Sequence, residues 1–379
     1  KPLSSFPLKM ASWLFTFIAF MRRVFYRVHL LDAYRIKAPV IVIGNITVGG
    51  TGKTPLVIAL AKALDQAGFK VGIVSRGYGA DIPTPTLVSD RDRPEHVGDE
   101  PAMMARHLPN ARIIVGKDRV ISAKKLVSDH GCDVIISDDG LQHYRLKRDI
   151  EVAVIDGARG VGNGARMPRG PLRESIARLK KVDHIVVNGE LTAPAGLSKY
   201  ITVSDSRLRC AEKSKACHCE RSDAIFSQFA RRLRHFVRND KLCCIQKSLT
   251  ANSCTTMHLQ PDWQLLRVDG ADKRMPVSEL LGHKVYAVAG IGNPDRFFGS
   301  LREKGLSVAE HPFSDHYMYT KDDINVSKDE WVVMTEKDAV KCLDFADDRH
   351  WYLAVTAVLP DVFIDLIVQQ IRSKACEKV

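Results

Sequence analysis

The stretch PVIVIGNITVGGTGKTPLVIALAKAL, residues 39–64, decides how the rest of the chain is read. Val40–Ile43 is a short unbroken apolar run, the pattern of a parallel strand buried on both faces. Glycines 49, 50 and 52 follow, then Lys53 and Thr54. Beyond them Leu56, Ala59, Leu60, Ala63 and Leu64 recur at the spacing of one helix face. Pro55 falls in the first turn, where its missing N–H does no harm. Strand, glycine loop, Lys-Thr and helix in this order make a phosphate-binding loop. Its glycines let backbone N–H groups converge on phosphate oxygens, and the helix N-terminus adds its positive end. Thr47, Val48, Gly49, Gly50, Thr51, Gly52, Lys53 and Thr54 are therefore assigned to nucleotide binding, with Lys53 on the terminal phosphates and Thr54 on Mg²⁺. Thr47 stands where the usual pattern begins with glycine, so the backbone there must suit a side chain.

Outward from this loop, strands are expected at 70–74, 112–115, 133–137, 151–155 and 184–188, and residues 83–90 read as a connector or small hairpin. Alternation of strand and helix implies right-handed crossovers and a P-loop NTPase-like parallel sheet. Ligands bind such sheets at the carboxyl ends of the strands. The strand at 70–74 ends in Arg76 and Tyr78. Asp99 and Glu100 open a helix that runs to about His107, and on the residues alone Asp99 reads as its cap. The strand at 133–137 ends in Asp138 and Asp139, where a carboxylate can hold Mg²⁺ between phosphates. A solvated turn around a left-handed Gly140 is the alternative. The loops bearing Lys53, Arg76, Asp99, Asp138 and Arg173 are expected to gather on one edge of the sheet, and that edge is the expected site.

The C-terminal half repeats the alternation, with strands at 284–289, 306–310, 331–334 and 351–355 and a last helix over 360–373. It reads as a second, smaller α/β unit. Gly290-Ile-Gly292-Asn-Pro294 looks like a dinucleotide fingerprint but lacks its third glycine and its acidic residue, so it reads as a tight strand–helix turn. His316, beside Asp315 at a strand end, is a candidate acid or base. The expected division is 1–37 as an N-terminal interface helix, 38–195 as the phosphate-loop domain, 196–283 as linking strands with an insertion, and 284–379 as the second domain.

The net charge of +12 is local. Residues 1–37 hold +6 and residues 207–247 hold +7, which leaves the body near neutral and argues against a nucleic-acid groove. Residues 208–248 also contain five of the nine cysteines. Cys210, Cys217, His218, Cys219, Cys243 and Cys244 match no standard zinc spacing, so this stretch reads as an insertion protruding from a loop. The remaining cysteines are scattered singly, as suits a reducing, cytosol-facing protein. Near the start, MASWLFTFIAFM (10–21) is followed by Arg22-Arg23. About a dozen apolar residues are too few for a span, which needs about twenty. No small-residue cleavage site follows, so a signal peptide fits less well. The favoured reading is a helix lying in a membrane interface, with Trp13, Phe15, Phe17 and Phe20 in the acyl boundary and Arg22, Arg23 and Arg27 near headgroups. A buried first helix is the alternative.

Taken together, GNITVGGTGKTP (44–55), SRGYG (75–79), GDEP (98–101), DDGLQH (138–143), RGPLRE (169–174), GIGNP (290–294), SDH (314–316) and TEKDAVK (335–341) resemble the tetraacyldisaccharide 4'-kinase family of the lipid A pathway. The resemblance covers the chain apart from residues 208–248, and that family's loop also lacks the first glycine. It implies ATP and Mg²⁺, and γ-phosphoryl transfer to the 4'-hydroxyl of a tetraacylated glucosamine disaccharide 1-phosphate. It further implies peripheral attachment to the cytosolic leaflet of the inner membrane, with no nucleic-acid or obligate protein partner. Carried onto this chain, Asp99 with His316 would form the base dyad. Asp138 and Asp139 with Thr54 and Glu100 would serve the metal, and Arg76, Tyr78, Arg119, His143, Arg173 and Glu174 the substrate. The rival class is an ATP-driven, membrane-recruited switch, which would not need Asp99 and His316 to converge.

Overall fold

The computed structural model describes residues 6–192, 197, 253–270, 273–327 and 330–378. The expected insertion at 208–248, with its candidate zinc ligands, lies outside the described residues.

Helix α1 (Phe6–Arg27) is followed by the phosphate-loop unit. Its elements run β1 (Val40–Gly44), α2 (Lys53–Gln66), β2 (Val71–Ser75), β3 (Thr86–Val88), α3 (Pro94–Val97), α4 (Asp99–His107), β4 (Arg112–Val115), α5 (Arg119–Ser128), β5 (Val134–Ser137), β6 (Ile150–Asp156) and β7 (His184–Asn188). Beyond the undescribed stretch come β8 (Ser253–Pro261), β9 (Gln264–Arg267), β10 (Arg274–Pro276), β11 (Lys284–Ala289), α6 (Pro294–Glu303), β12 (Ser307–Pro312), β13 (Trp331–Thr335), α7 (Glu336–Cys342), β14 (His350–Leu353), β15 (Val355–Val358) and α8 (Asp361–Cys376).

The first sheet has the order β15-β8-β7-β6-β1-β5-β2-β4-β3. It is parallel except at its two edges, where β3 and β15 run antiparallel to their neighbours. β1 is central and buried throughout, as its unbroken apolar run requires. On one face Leu56, Leu60 and Leu64 of α2 pack fully buried against Ile41 and Ile43. On the other, Val120, Ala123 and Leu126 of α5 pack against Val42 and Ile135. Each such leucine removed from water contributes about 1.5–3 kcal/mol. The second sheet has the order β10-β9-β14-β13-β11-β12, with β14, β13, β11 and β12 parallel.

Sheet membership departs from the expected division in two places. The second sheet draws β9 and β10 from before residue 284. The run expected as one strand over 351–355 breaks at Ala354, and β15 crosses back to pair with β8 in the first sheet. Phe363, Ile367 and Ile371 of α8 then bury in the same core as α2. Their periodicity marked a helix, but nothing in a helix pattern says which sheet it covers.

α1 buries only Ser12, whose hydroxyl donates to the Arg166 carbonyl at 2.9 Å. Its apolar side chains face outward, with Trp13 80% and Phe17 60% exposed. The alternative of a buried first helix is therefore not what the structure holds. Among the described residues no helix is long and apolar enough to cross a membrane.

Candidate functional site

The carboxyl edge of the first sheet opens into a cavity of about 1300 Å³ whose far wall comes from the second sheet. The phosphate loop forms its floor. Thr47 makes an antiparallel bridge to Leu172, the Val48 N–H donates to the Pro171 carbonyl at 2.8 Å, and the Arg173 N–H donates to the Ile46 carbonyl at 2.7 Å. Thr47 is thus in extended, strand-like pairing, which admits a side chain and explains why glycine is not needed there. This pairing also turns Thr47 and Val48 toward the 171–173 segment, so the cavity wall runs from Gly49 to Thr54. Gly52 does need to be glycine: its φ is 88°, and a Cβ there would stand 2.6 Å from Asn188 Nδ2. That amide braces the loop by donating to the Thr51 carbonyl at 3.1 Å.

At the end of β5, Asp138 is 1% exposed. Its Oδ2 accepts from Ser75 Oγ at 3.3 Å, while Oδ1 is buried without a partner. Burial, with Glu100 and Asp139 nearby, pushes its carboxyl up to about 7. Asp139 is held differently, in left-handed backbone at φ 45°. Arg173 donates to its Oδ2 at 2.9 Å, Lys53 lies 3.7 Å from Oδ1, and Arg119 donates to its carbonyl at 2.9 Å. Burial raises the Asp139 carboxyl, but Lys53, Arg173 and Arg119 outweigh it and hold the group below the ordinary carboxylate value. An orphaned buried carboxylate oxygen in a cavity also lined by Thr54, Glu100 and Asp139 is a donor set that suits a hard divalent cation. Among the described residues no three His, Cys, Asp or Glu side chains converge as a complete metal cage. Magnesium commonly takes one or two carboxylates and completes its shell with phosphate and water.

The opposite wall brings together residues 217 apart in sequence. Asp99 does not cap α4: it is the helix's first residue, after Gly98, and its Oδ1 accepts from the Glu100 N–H at 2.9 Å. Its Oδ2 lies 2.9 Å from His316 Nδ1, which arrives from the loop after β12. His316 is itself left-handed at φ 62° and packs against the Tyr78 ring at 4.6 Å. With Nδ1–H donating to Asp99, Nε2 is left as the acceptor; this tautomer is assigned from the hydrogen bond. Burial works against the Asp99 carboxylate, but His316, Lys337 and Lys341 hold it below its ordinary value.

Arg76, Tyr78, Arg119, His143 and Arg173 also line the cavity. Burial together with Arg119, Arg148 and Arg22 pushes His143 down to about 4, so its ring is neutral, and its Nε2 is buried without a partner. Glu174 departs from its expected place at the substrate. It is 3% exposed and does not line the cavity, because Gln142, Tyr144, Arg178 and Arg23 occupy its carboxylate. It ties α1 to the 169–174 loop instead. Reading from sequence missed Lys337 and Arg22, which both line the cavity. Lys337 belongs to the TEKDAVK stretch, but nothing in its spacing points across to Asp99. The apolar neighbours of Arg22 point it toward headgroups instead.

The second unit also touches the phosphate loop directly. A Cβ on Gly292 would stand 2.2 Å from the Gly50 nitrogen, so the 290–294 turn lies backbone to backbone on the loop. Arg159 Nη1 donates to the Gly292 carbonyl at 3.0 Å and fixes that contact. Ile58, Leu259, Trp263, Phe297 and Val355 add apolar surface to the cavity lining.

Residues 4–372 match the family described as Tetraacyldisaccharide-1-P 4'-kinase. A Tetraacyldisaccharide 4'-kinase of Methylobacillus flagellatus is 39% identical over 363 residues, covering 95% of this chain and 90% of that protein. One from Shewanella halifaxensis is 38% identical over 379 residues, covering 98% and 96%. A crystal structure of LpxK from Aquifex aeolicus, described as an "apo" form in complex with ATP, superposes with a TM-score of 0.67 at 24% identity, covering 96% of this chain and 98% of that one. That likeness concerns the fold, and the sequence matches settle the kinship read from the motifs: this chain belongs to the tetraacyldisaccharide-1-P 4'-kinase family.

Proposed function

We propose that this protein transfers the γ-phosphoryl group of ATP to the 4'-hydroxyl of a tetraacylated glucosamine disaccharide 1-phosphate. The observation that carries the reading is the Asp99–His316 pair, held at 2.9 Å on the wall facing the phosphate loop. A sugar hydroxyl is a poor nucleophile, and a positioned base must accept its proton as it attacks. Asp99 orients the imidazole and His316 Nε2 takes the proton. Lys53 and the loop N–H groups hold the phosphates, while Arg119 and Arg173 face the charge that gathers on the transferring group. Thr54, Asp138, Asp139 and Glu100 would hold Mg²⁺. Held by these residues, Mg²⁺ would supply positive charge to offset that of the phosphates. The aromatic lining residues Trp263 and Phe297 suit the flat face of the base.

The acceptor's acyl chains explain α1. Each CH₂ drawn out of a bilayer costs ~0.8 kcal/mol, so extracting four chains would cost on the order of tens of kcal/mol. The protein is proposed to meet its substrate at the cytosolic surface of the inner membrane, with Trp13, Leu14, Phe17 and Ile18 outward. Lys9, Arg166 and Arg169 line a groove beside Trp13, Phe17 and Phe20, where headgroup phosphates would lie.

The test is transfer of label from γ-labelled ATP to the lipid acceptor in mixed micelles. Lipid-linked label that requires both substrates is the expected result. ATP hydrolysis indifferent to the acceptor would instead support a nucleotide-driven switch.

A further inference from the structure

Lys337 opens the first turn of α7 in the second unit and reaches across the cavity into the first. Its ammonium lies 3.6 Å from Asp99 Oδ2, 3.2 Å from Glu100 Oε1, 3.1 Å from Asp315 Oδ1 and 3.5 Å from His316 Nε2. Three cations nearer the phosphate loop sit at Asp139 rather than at this wall: Lys53 and Arg173 face its carboxylate, and Arg119 donates to its carbonyl. Lys337 is also held from behind. The Asp338 carboxylate accepts from Thr335 Oγ1 at 2.6 Å and from the Gly290 N–H at 2.9 Å, and Lys341 Nζ lies 2.9 Å from its other oxygen. Glu336, the neighbour on the other side, meets His107 of α4 at 2.5 Å.

This arrangement answers an electrostatic problem. An anionic proton acceptor must come within hydrogen-bond reach of a hydroxyl that is attacking an anionic phosphoryl group. Carboxylates at 99, 100 and 315 on that wall would repel the phosphoryl group unless a cation stood among them.

We propose that Lys337 is a further catalytic residue, the cation that lets the Asp99–His316 acceptor and the transferring phosphoryl group share one site. The inference rests on the function proposed above. In the step itself the 4'-oxygen bonds to the γ-phosphorus as the bond to the bridging oxygen of ADP breaks, and the hydroxyl proton passes to the Asp99–His316 pair. Lys337 stays protonated and faces the charge on the equatorial oxygens. Because it is delivered by the second unit, the acceptor is complete only when the two units meet as they do here.

The test compares Lys337→Ala, Lys337→Arg and wild type for kcat, KM for ATP and thermal midpoint, with Lys337→Ala also assayed in added ethylammonium. Loss of one fixed donor to a developing anion typically lowers kcat by roughly 10²–10³. The expected result is a loss of that size in Lys337→Ala, with KM for ATP and the midpoint little changed, partial recovery in ethylammonium, and partial activity in Lys337→Arg. Two results would overturn the proposal: a kcat within about threefold of wild type, or a loss that tracks a lowered midpoint and ignores the amine. Wild-type protein that phosphorylates no lipid would overturn the reading of the site itself.

Discussion

Asp138→Asn is expected to stabilise the protein in the absence of metal and nucleotide, by an amount that grows as the pH rises from about 4 to 7 and is full above that. The Asp138 carboxyl titrates near 7 in the folded chain against an ordinary value of 3.8. As pH rises, the unfolded chain loses this proton first and the folded chain keeps it until about 7. Across that window the unfolded state binds fewer protons, so stability falls with pH, and the penalty is complete above 7. The gap corresponds to about 4 kcal/mol at most. An asparagine amide never ionises, and its oxygen can still accept from Ser75 Oγ. Urea unfolding in EDTA should therefore show Asp138→Asn more stable than wild type by a few kcal/mol at pH 8, with the difference vanishing near pH 4. Adding Mg²⁺ should narrow the gap at pH 8, because the ion favours the wild-type carboxylate. A gain of equal size at both pH values, or none at pH 8, would refute the claim that Asp138 is an uncompensated buried charge poised for a cation.

Two other substitutions separate the walls of the site. Asp99→Ala is expected to lower kcat by about 10²–10⁴ while leaving ATP affinity within a few-fold, whereas Lys53→Ala weakens both; equal loss of ATP affinity in the two, measured by calorimetry, would remove Asp99 from the proton-transfer role. Glu174→Ala strips one carboxylate from Gln142, Tyr144 and Arg178. It should cost about 1–3 kcal/mol of stability, with the acceptor KM moving less than in Arg173→Ala; a larger shift in KM with an unchanged unfolding midpoint would return Glu174 to the substrate.

How much of this was legible in the chain depended on the range over which each feature is decided. The phosphate loop is local, since β1, its glycines, Lys53 and α2 are contiguous and each constrains the next. The acidic end of β5 is local too, an apolar run stopped by two carboxylates. Asp99 and His316 are not, because their pairing depends on how the second sheet sits against the first, and no periodicity encodes that. Before the fold is known, only the family resemblance pairs those two residues. The same limit explains β15 and α8: their apolar spacing was visible, but which sheet they complete is fixed by pairing with β8. Lys337 illustrates the remaining gap. A lysine in a helix's first turn usually faces solvent, and only the fold places this one over the Asp99 carboxylate.

The central claim is that the hydroxyl facing Asp99 and His316 is the one that becomes phosphorylated. The most direct measurement is the position of the label in the lipid product after a single turnover with γ-labelled ATP. Mild acid cleaves the anomeric 1-phosphate and spares a phosphate ester at the 4'-oxygen. The label is expected to survive this treatment on the lipid. Label released with the anomeric phosphate, or found only as free phosphate, would contradict it.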